Sequence, residues 1–186
     1  MPRPPLTPFD YTLRLLFGGK DGTWKTRDNE GFDATLLQIA GVIALPLIRT
    51  GYWRFNQNGE APEVVWDEGG VKGPRPSEQH QHGFAVDWLV EGLGLREFTS
   101  TSGGAIAGLL KLYTEYEAAP QSAAGKLPFV SCTSAAAITG RYGTSFTPEF
   151  VIVRWVDWPK DLPGAPASQP GLPTVADPAA GKDTPF

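Results

Sequence analysis

Large aromatic residues stand next to arginines at several places along this chain. Four such groups supply the candidate binding residues: Trp53, Arg54 and Phe55; Arg96 and Phe98; Arg141 and Tyr142; and Arg154 and Trp155. A guanidinium group attracts phosphate, and a ring offers a flat face on which a base stacks, for about 1–3 kcal/mol per base. Repeated pairs of this kind are the chemistry that holds an unpaired nucleic-acid strand in a groove.

The same rings have a second interpretation, because aromatic side chains also fill protein cores. Alternation along a strand places Trp53 and Phe55 on one face, and Tyr52 and Arg54 on the other. The pattern does not say which face is buried. We expect about half of the rings to be core, so the binding hypothesis depends on the number of pairs rather than on any single ring.

Other reactive side chains give weaker indications. His80 and His82, with Glu78 nearby, could supply metal ligands, but no further His or Cys is placed to complete a site. Cys132 lies in an apolar strand pattern and is interpreted as a buried structural thiol. With one cysteine there is no intramolecular disulfide. The sequence therefore predicts no catalytic residues, no metal and no cofactor, and a protein that is not an enzyme.

Composition favours one globular domain. Hydrophobic residues make up 41% of the 186 residues, and 22 Gly and 18 Pro point to many turns between strands. The net charge of −4 counts against a nucleic-acid binder that works by bulk charge, though not against a local basic groove. The longest apolar run, 34–48, is too short and too interrupted to span a bilayer, so a soluble, cytoplasmic protein is expected.

The predicted elements are mostly strands. Residues 1–10 are predicted to be an extended Pro-rich arm, and 23–30 to be polar, with 20–27 in a flexible region. Residues 31–49 are predicted to be a buried strand or a helix, and 67–83 a long exposed loop. Strands are predicted at 52–55, 64–66, 84–90, 95–99, 127–133 and 146–156, with turns at 56–59, 92–94 and 139–143. Ser102 can cap a helix that ends near Glu117 and whose apolar positions are Ile106, Leu109, Leu110 and Tyr113.

The helix follows the third major strand. That order, strand-strand-strand-helix-strand-strand, matches the oligonucleotide-binding (OB) fold, a five-stranded Greek-key barrel with a helix between strands 3 and 4. The sequence therefore predicts a mainly β, OB-fold domain over residues 1–163.

The tail, 164–186, is a separate element. Of its 23 residues, 13 are Pro, Gly or Ala, so it has little to bury and is expected to be disordered. Its one aromatic residue, Phe186, follows Asp183, Thr184 and Pro185. A flexible tether with an acidic group, a proline and a ring is suited to docking in an apolar pocket with a basic rim.

The tip and the element order together resemble the single-stranded DNA-binding proteins of bacteria and phages. The resemblance implies a domain that coats single-stranded DNA and a tip, Asp183, Pro185 and Phe186, that recruits replication, recombination and repair proteins. It also implies possible homo-oligomers. This chain departs from the pattern, since one aspartate beside Lys182 replaces the usual several acids.

Three hypotheses follow. The first is a phage-type or mobile-element protein that coats single-stranded DNA with little sequence preference. The second is a phage virion structural or assembly protein, a β-rich tail or decoration subunit. The third is an enzyme that uses the loop with His80 and His82.

Overall fold

The structure is a computed structural model that describes residues 14–27, 33–55, 62–141 and 143–164. Four sequence predictions lie outside these ranges: the N-terminal arm, the turn at 56–59, Tyr142, and the tail with its tip at Asp183, Pro185 and Phe186. The described part is mainly β, as predicted, with ten strands in one sheet and two helices.

The elements are named in chain order. The strands are β1 (Arg14–Phe17), β2 (Trp24–Arg27), β3 (Asp33–Leu36), β4 (Ile39–Ile43), β5 (Arg49–Arg54), β6 (Glu63–Trp66), β7 (Gln81–Val90), β8 (Gly94–Ser100), β9 (Leu127–Gly140) and β10 (Gly143–Val156). The helices are α1 (Gly103–Ala118) and α2 (Pro120–Ala123), and a 3-10 turn at Leu45–Leu47 separates β4 from β5.

Hydrogen bonding joins the strands in the order β10-β9-β4-β7-β8-β1-β2-β3, and β5 pairs with both β7 and β6. Every pair is antiparallel except β1 with β8. Because β4 and β5 both pair with β7, the 3-10 turn acts as a bend within one long strand. Strands β9 and β10 form a long ribbon that extends beyond β4, whose pairing with β9 ends at Cys132.

The sheet curls, so that strands distant in this order surround one core. The Phe146 N–H of β10 donates to the carbonyl of Gly19, in the turn after β1, at 2.9 Å. Inside, the Trp24 ring of β2 lies 6.1 Å from the Phe150 ring of β10 and 5.0 Å from the Phe98 ring of β8. Trp88 of β7 is also in contact with this group. The interior is therefore filled largely by rings.

Helix α1 confirms the capping prediction. The Ser102 hydroxyl accepts a hydrogen bond from the Ala105 N–H at 3.2 Å, which satisfies a free donor of the first turn. Leu109 and Leu112 are buried, but the assignment of Leu110 to the apolar face was wrong, because 63% of that residue is exposed. Within the described ranges, neither helix has the length and apolar character needed to cross a bilayer.

Glycine lets α1 lie close to β10. A Cβ atom built on Gly108 would stand 2.6 Å from the carbonyl oxygen of Pro148, and one on Gly104 would be closer still to that of Phe146. These distances are too short for any real contact. Two glycines one helical turn apart thus form the surface through which α1 packs against the strand.

Two local predictions have opposite outcomes. The paired strands around 92–94 are confirmed as the β7–β8 hairpin, where Gly92 and Gly94 both have φ of +76°, a conformation suited to glycine. The assignment of 20–27 to a flexible region was wrong for residues 24–27, which form β2. Trp24 and Thr26 alternate into the core there, with 1% and 5% of their surfaces exposed.

Candidate nucleic-acid interface

The β5–β6 hairpin presents a cation and a ring side by side. Strand alternation directs Thr50 and Tyr52 toward the core side of the sheet and Arg49, Gly51 and Trp53 toward the opposite side, here called the outer face. Trp66 pairs in register with Gly51 and so lies on the outer face too. The Arg49 guanidinium lies 4.4 Å from the Trp66 ring centroid, which is a cation–π contact.

Arg49 is held in place by an acid from another strand. Its Nη2 atom lies 2.7 Å from Oε2 of Glu97 on β8, so the ion pair spans the intervening strand β7. Trp66 remains 38% exposed and the Arg49 side chain 29% exposed. This arrangement holds a guanidinium and a ring at fixed positions, while both remain accessible to a ligand.

Trp53, Arg54 and Phe55 behave differently from one another. Trp53 is 2% exposed and packs edge-on against Trp66, with centroids 5.2 Å apart, so it has no free face for a base. Arg54 is an accessible cation paired with Glu63 at 2.7 Å. Phe55 is 54% exposed and follows directly after β5. Of the two rings in this group, only Phe55 is placed where a base could stack.

Arg96 and Phe98 do not form a surface pair. Phe98 is fully buried and packs against several core rings, which makes it unsuitable for stacking on a base. Arg96 is half-buried; its Nε donates to the Thr26 hydroxyl at 3.1 Å and its Nη1 to the carbonyl of Leu95 at 2.9 Å. Both residues thus help to hold strands together.

The remaining candidates lie on the β9–β10 ribbon. Arg141 is exposed at the tip of the ribbon. Arg154 lies 3.7 Å above the Phe129 ring and is 56% exposed, and the half-buried Trp155 stacks on Tyr116 at 5.8 Å. Arg141 and Arg154 are near opposite ends of β10, so the predicted residues do not line one continuous groove.

Beside the hairpin, a buried carboxylate organises a polar network. The Asp67 side chain is 2% exposed; its Oδ2 lies 2.7 Å from Nε2 of His82 and accepts from the Thr50 hydroxyl at 2.6 Å. Its Oδ1 accepts from the Gly73 N–H at 3.0 Å. Burial acts to raise the pKa of Asp67, but these hydrogen bonds outweigh it and hold the pKa below its ordinary value of 3.8. The network fastens the segment after β6 to β5 and β7.

A cleft opens next to this network, between α1 and the start of β5. The chamber here called inner has a volume of ≈ 220 Å³ and mainly apolar walls. The neighbouring chamber, here called outer, has a volume of ≈ 640 Å³ and is bounded by Arg49 and Trp66. Ile48, Thr50 and Tyr113 line both chambers, so the two chambers adjoin. His82 lines the inner chamber and Asp67 the outer one.

The other histidine belongs to the structure of its loop. His80 is 3% exposed, its Nδ1 lies 2.8 Å from the Ser77 hydroxyl, and its Nε2 is 3.9 Å from Oε1 of Glu63. Among the described residues, no three His, Cys, Asp or Glu side chains converge as metal ligands would. Cys132 is buried as predicted, and burial raises the pKa of its thiol.

Two features of this region could not be predicted from the sequence. Trp66 was predicted only as part of a short strand, although an exposed tryptophan beside an arginine is a binding signal once the strand pairing is known. Asp67 and His82 are 15 residues apart in a segment predicted to be an exposed loop, so no local pattern connects them. Comparison with protein-family models, curated proteins and solved structures gives no match for this chain.

Proposed function

We propose that this protein binds single-stranded DNA, largely without sequence preference, through the outer face of the β5–β6 hairpin. The observation that carries the proposal is the pair of Arg49 and Trp66, which places a cation beside a partly exposed ring on the outer face of the hairpin. Phe55, directly after β5, is a second exposed ring of the same hairpin. Rings can stack on bases of any sequence, and the guanidinium can meet a phosphate next to the base on Trp66.

The strand pairing supports an OB-type barrel as the scaffold. If β4 and β5 are taken as one bent strand 1, then β7, β8, β9 and β10 are strands 2 to 5, and α1 follows strand 3. Strand 1 pairs with strands 2 and 4, strand 2 with 3, and strand 4 with 5, as in that fold. Strand β1, inserted beside β8 and bonded through Gly19 to β10, takes the closing position.

Fluorescence anisotropy with a labelled oligodeoxythymidylate at low salt tests this function. Trp66→Ala and Phe55→Ala should each weaken binding by about 5- to 150-fold, the equivalent of one lost stacking contact. Val151→Ala removes a residue that is 57% exposed on β10 and serves as the control, with unchanged affinity. Binding should also weaken as salt is raised. Absence of binding by the unsubstituted protein at low salt would refute the proposal.

The predicted docking role of the tail is a separate part of the proposal. Asp183, Pro185 and Phe186 would engage a replication or recombination protein, while the domain holds the strand. Deleting Thr184–Phe186 should leave strand affinity unchanged and abolish capture of such proteins on immobilised, protein-coated DNA. Equal capture by the full and the shortened chain would exclude a role for the tip.

One observation favours the second candidate, a subunit of a virion or another assembly. Residues 136–140 of β9 and 143–145 of β10 are exposed along the ribbon, and Ile138 is 53% exposed. A projecting ribbon of this kind can insert between neighbouring subunits. Sedimentation velocity distinguishes the two functions: an assembly subunit forms large particles without DNA, whereas a strand-coating protein forms long complexes only when DNA is added.

A further inference from the structure

The cleft beside the hairpin has the dimensions of a site for one aromatic ring system. A cavity of about 150 Å³ with apolar walls accommodates benzene, and the inner chamber measures ≈ 220 Å³. Its walls include Ile106, Leu109 and the half-buried Tyr113 of α1, facing Phe84 of β7. A flat ring held between these side chains would exchange water for apolar contact on both faces.

Two polar residues take part in the wall of this apolar chamber. Thr50 and His82 line the inner chamber, and both are positioned by hydrogen bonds to the buried Asp67 carboxylate. Because Asp67 binds their polar atoms, both side chains are held in place and the chamber offers a ligand mainly apolar surface. An apolar chamber with a few oriented polar groups is the usual form of a site for a small ring-containing ligand.

The inner chamber shares part of its wall with the outer one. The outer chamber reaches Arg49 and Trp66, the pair through which the strand is proposed to bind. A nucleotide has the same order of parts, a base joined through a sugar to a phosphate. A phosphate at Arg49 would leave its base directed at the inner chamber, next to Tyr113.

We propose that one base of the bound strand leaves the stack and occupies the inner chamber, while its phosphate lies at Arg49. This inference depends on the proposed function and adds a specific pocket to it. The chamber takes one nucleotide out of line with its neighbours, so it fixes the register of the strand on the protein. An apolar side chain of a partner protein is the competing occupant.

Photo-crosslinking of the full chain provides a direct test that needs no substitution. A short oligodeoxythymidylate carries 4-thiothymidine at one position at a time, and crosslinked peptides are located by mass spectrometry. One position of the strand should crosslink to Tyr113 or its neighbours on α1, and adjacent positions to the hairpin. Crosslinks on the hairpin with none on α1 would overturn the inference and leave the proposed function intact.

A matched pair of helix variants supplies the second test. Ile106→Phe places a ring in the chamber, whereas Ala107→Phe adds the same ring at the next, exposed position of α1. Ile106→Phe should weaken oligodeoxythymidylate binding about tenfold and remove the α1 crosslink, and Ala107→Phe should do neither. Thermal unfolding checks that both variants are folded.

The remaining outcomes are equally decisive. The inference is wrong if Ile106→Phe binds the strand as tightly as the unsubstituted protein does, while N-acetylphenylalanine amide binds the unsubstituted protein and Ala107→Phe but not Ile106→Phe. The occupant of the chamber is then an apolar side chain. If no variant and no unsubstituted protein binds the oligonucleotide, the proposed function itself fails.

Discussion

Replacing Phe98 by alanine separates the core rings from the binding rings. Phe98 is fully buried, and its ring centroid lies 4.9 Å from that of Phe84, 5.0 Å from Trp24 and 6.0 Å from Trp88. Removing a buried phenylalanine side chain costs about 3–5 kcal/mol in the free energy of unfolding, and the several ring contacts place this site at the upper end. Stability of a domain this size is about 5–15 kcal/mol, so the variant folds marginally.

Urea unfolding followed by tryptophan fluorescence measures this loss. With an m value of about 2 kcal/mol/M, the midpoint should fall by about 1.5–2.5 M. Phe98→Leu retains much of the volume and should lose less, which gives a variant that is safely folded. Affinity for oligodeoxythymidylate, calculated per folded molecule, should equal that of the unsubstituted protein for both variants.

Phe55→Ala is the matched opposite case. Because 54% of Phe55 is exposed, its removal should change the free energy of unfolding by no more than about 0.5 kcal/mol and still reduce strand affinity. The reasoning would be refuted if Phe98→Ala lowered the affinity per folded molecule while its urea midpoint stayed within about 0.5 M of that of the unsubstituted protein. At this m value, that difference corresponds to about 1 kcal/mol in the free energy of unfolding. Such a result would place the Phe98 ring against the strand.

Three further predictions concern packing, pH and thiol reactivity. Gly108→Ala should lower the free energy of unfolding by about 1–3 kcal/mol, despite the better helix propensity of alanine, because the new Cβ meets the Pro148 carbonyl. In the same urea titration the control Ala107→Ser, at an exposed position, should be nearly neutral. Folding lowers the pKa of Asp67, so its carboxylate stabilises the fold above its unfolded pKa near 4, and this stabilisation is lost as the pH falls through the folded pKa. In thermal melts, Asp67→Asn should be less stable than the unsubstituted protein at pH 7 and should lose less stability between pH 5 and pH 2. The Cys132 thiol is buried with a raised pKa, so it should react with a maleimide only in urea, and labelling of the native protein at the rate seen in urea would contradict its burial.

Local signals in the sequence identified the elements that depend on local interactions. Ser102 and the three- and four-residue spacing after it predicted α1, because a cap and an apolar stripe lie within one segment. Gly92 and Gly94 predicted the β7–β8 turn, because their positive φ values are a property of single residues. β2 was not found, since its four residues include three polar ones and its strand character depends on pairing with β1 and β3.

The binding residues could be predicted only in part, because alternation defines faces without identifying the buried one. Trp53 is covered by Trp66 from the neighbouring strand, whereas Phe55, directly after β5, is exposed. That difference depends on the β5–β6 register, which places Trp66 opposite Gly51. The loop prediction for 67–83 failed in the same way at Asp67, a polar residue that is buried because Thr50 and His82, 17 and 15 residues away in the chain, satisfy it.

The abundance of aromatic residues has a structural cause, so the number of ring–arginine pairs in the sequence is a weak argument for binding. Inserting β1 and β2 beside β8 enlarges the interior that the curled sheet must fill, and rings fill it at the least cost in side-chain entropy per unit of volume. Phe17, Trp24 and Phe98 occupy that space and are therefore unavailable to a ligand. An argument for strand binding must then depend on the position of each ring. Trp66, exposed beside Arg49, is the ring whose removal should lower the affinity for DNA without lowering the free energy of unfolding.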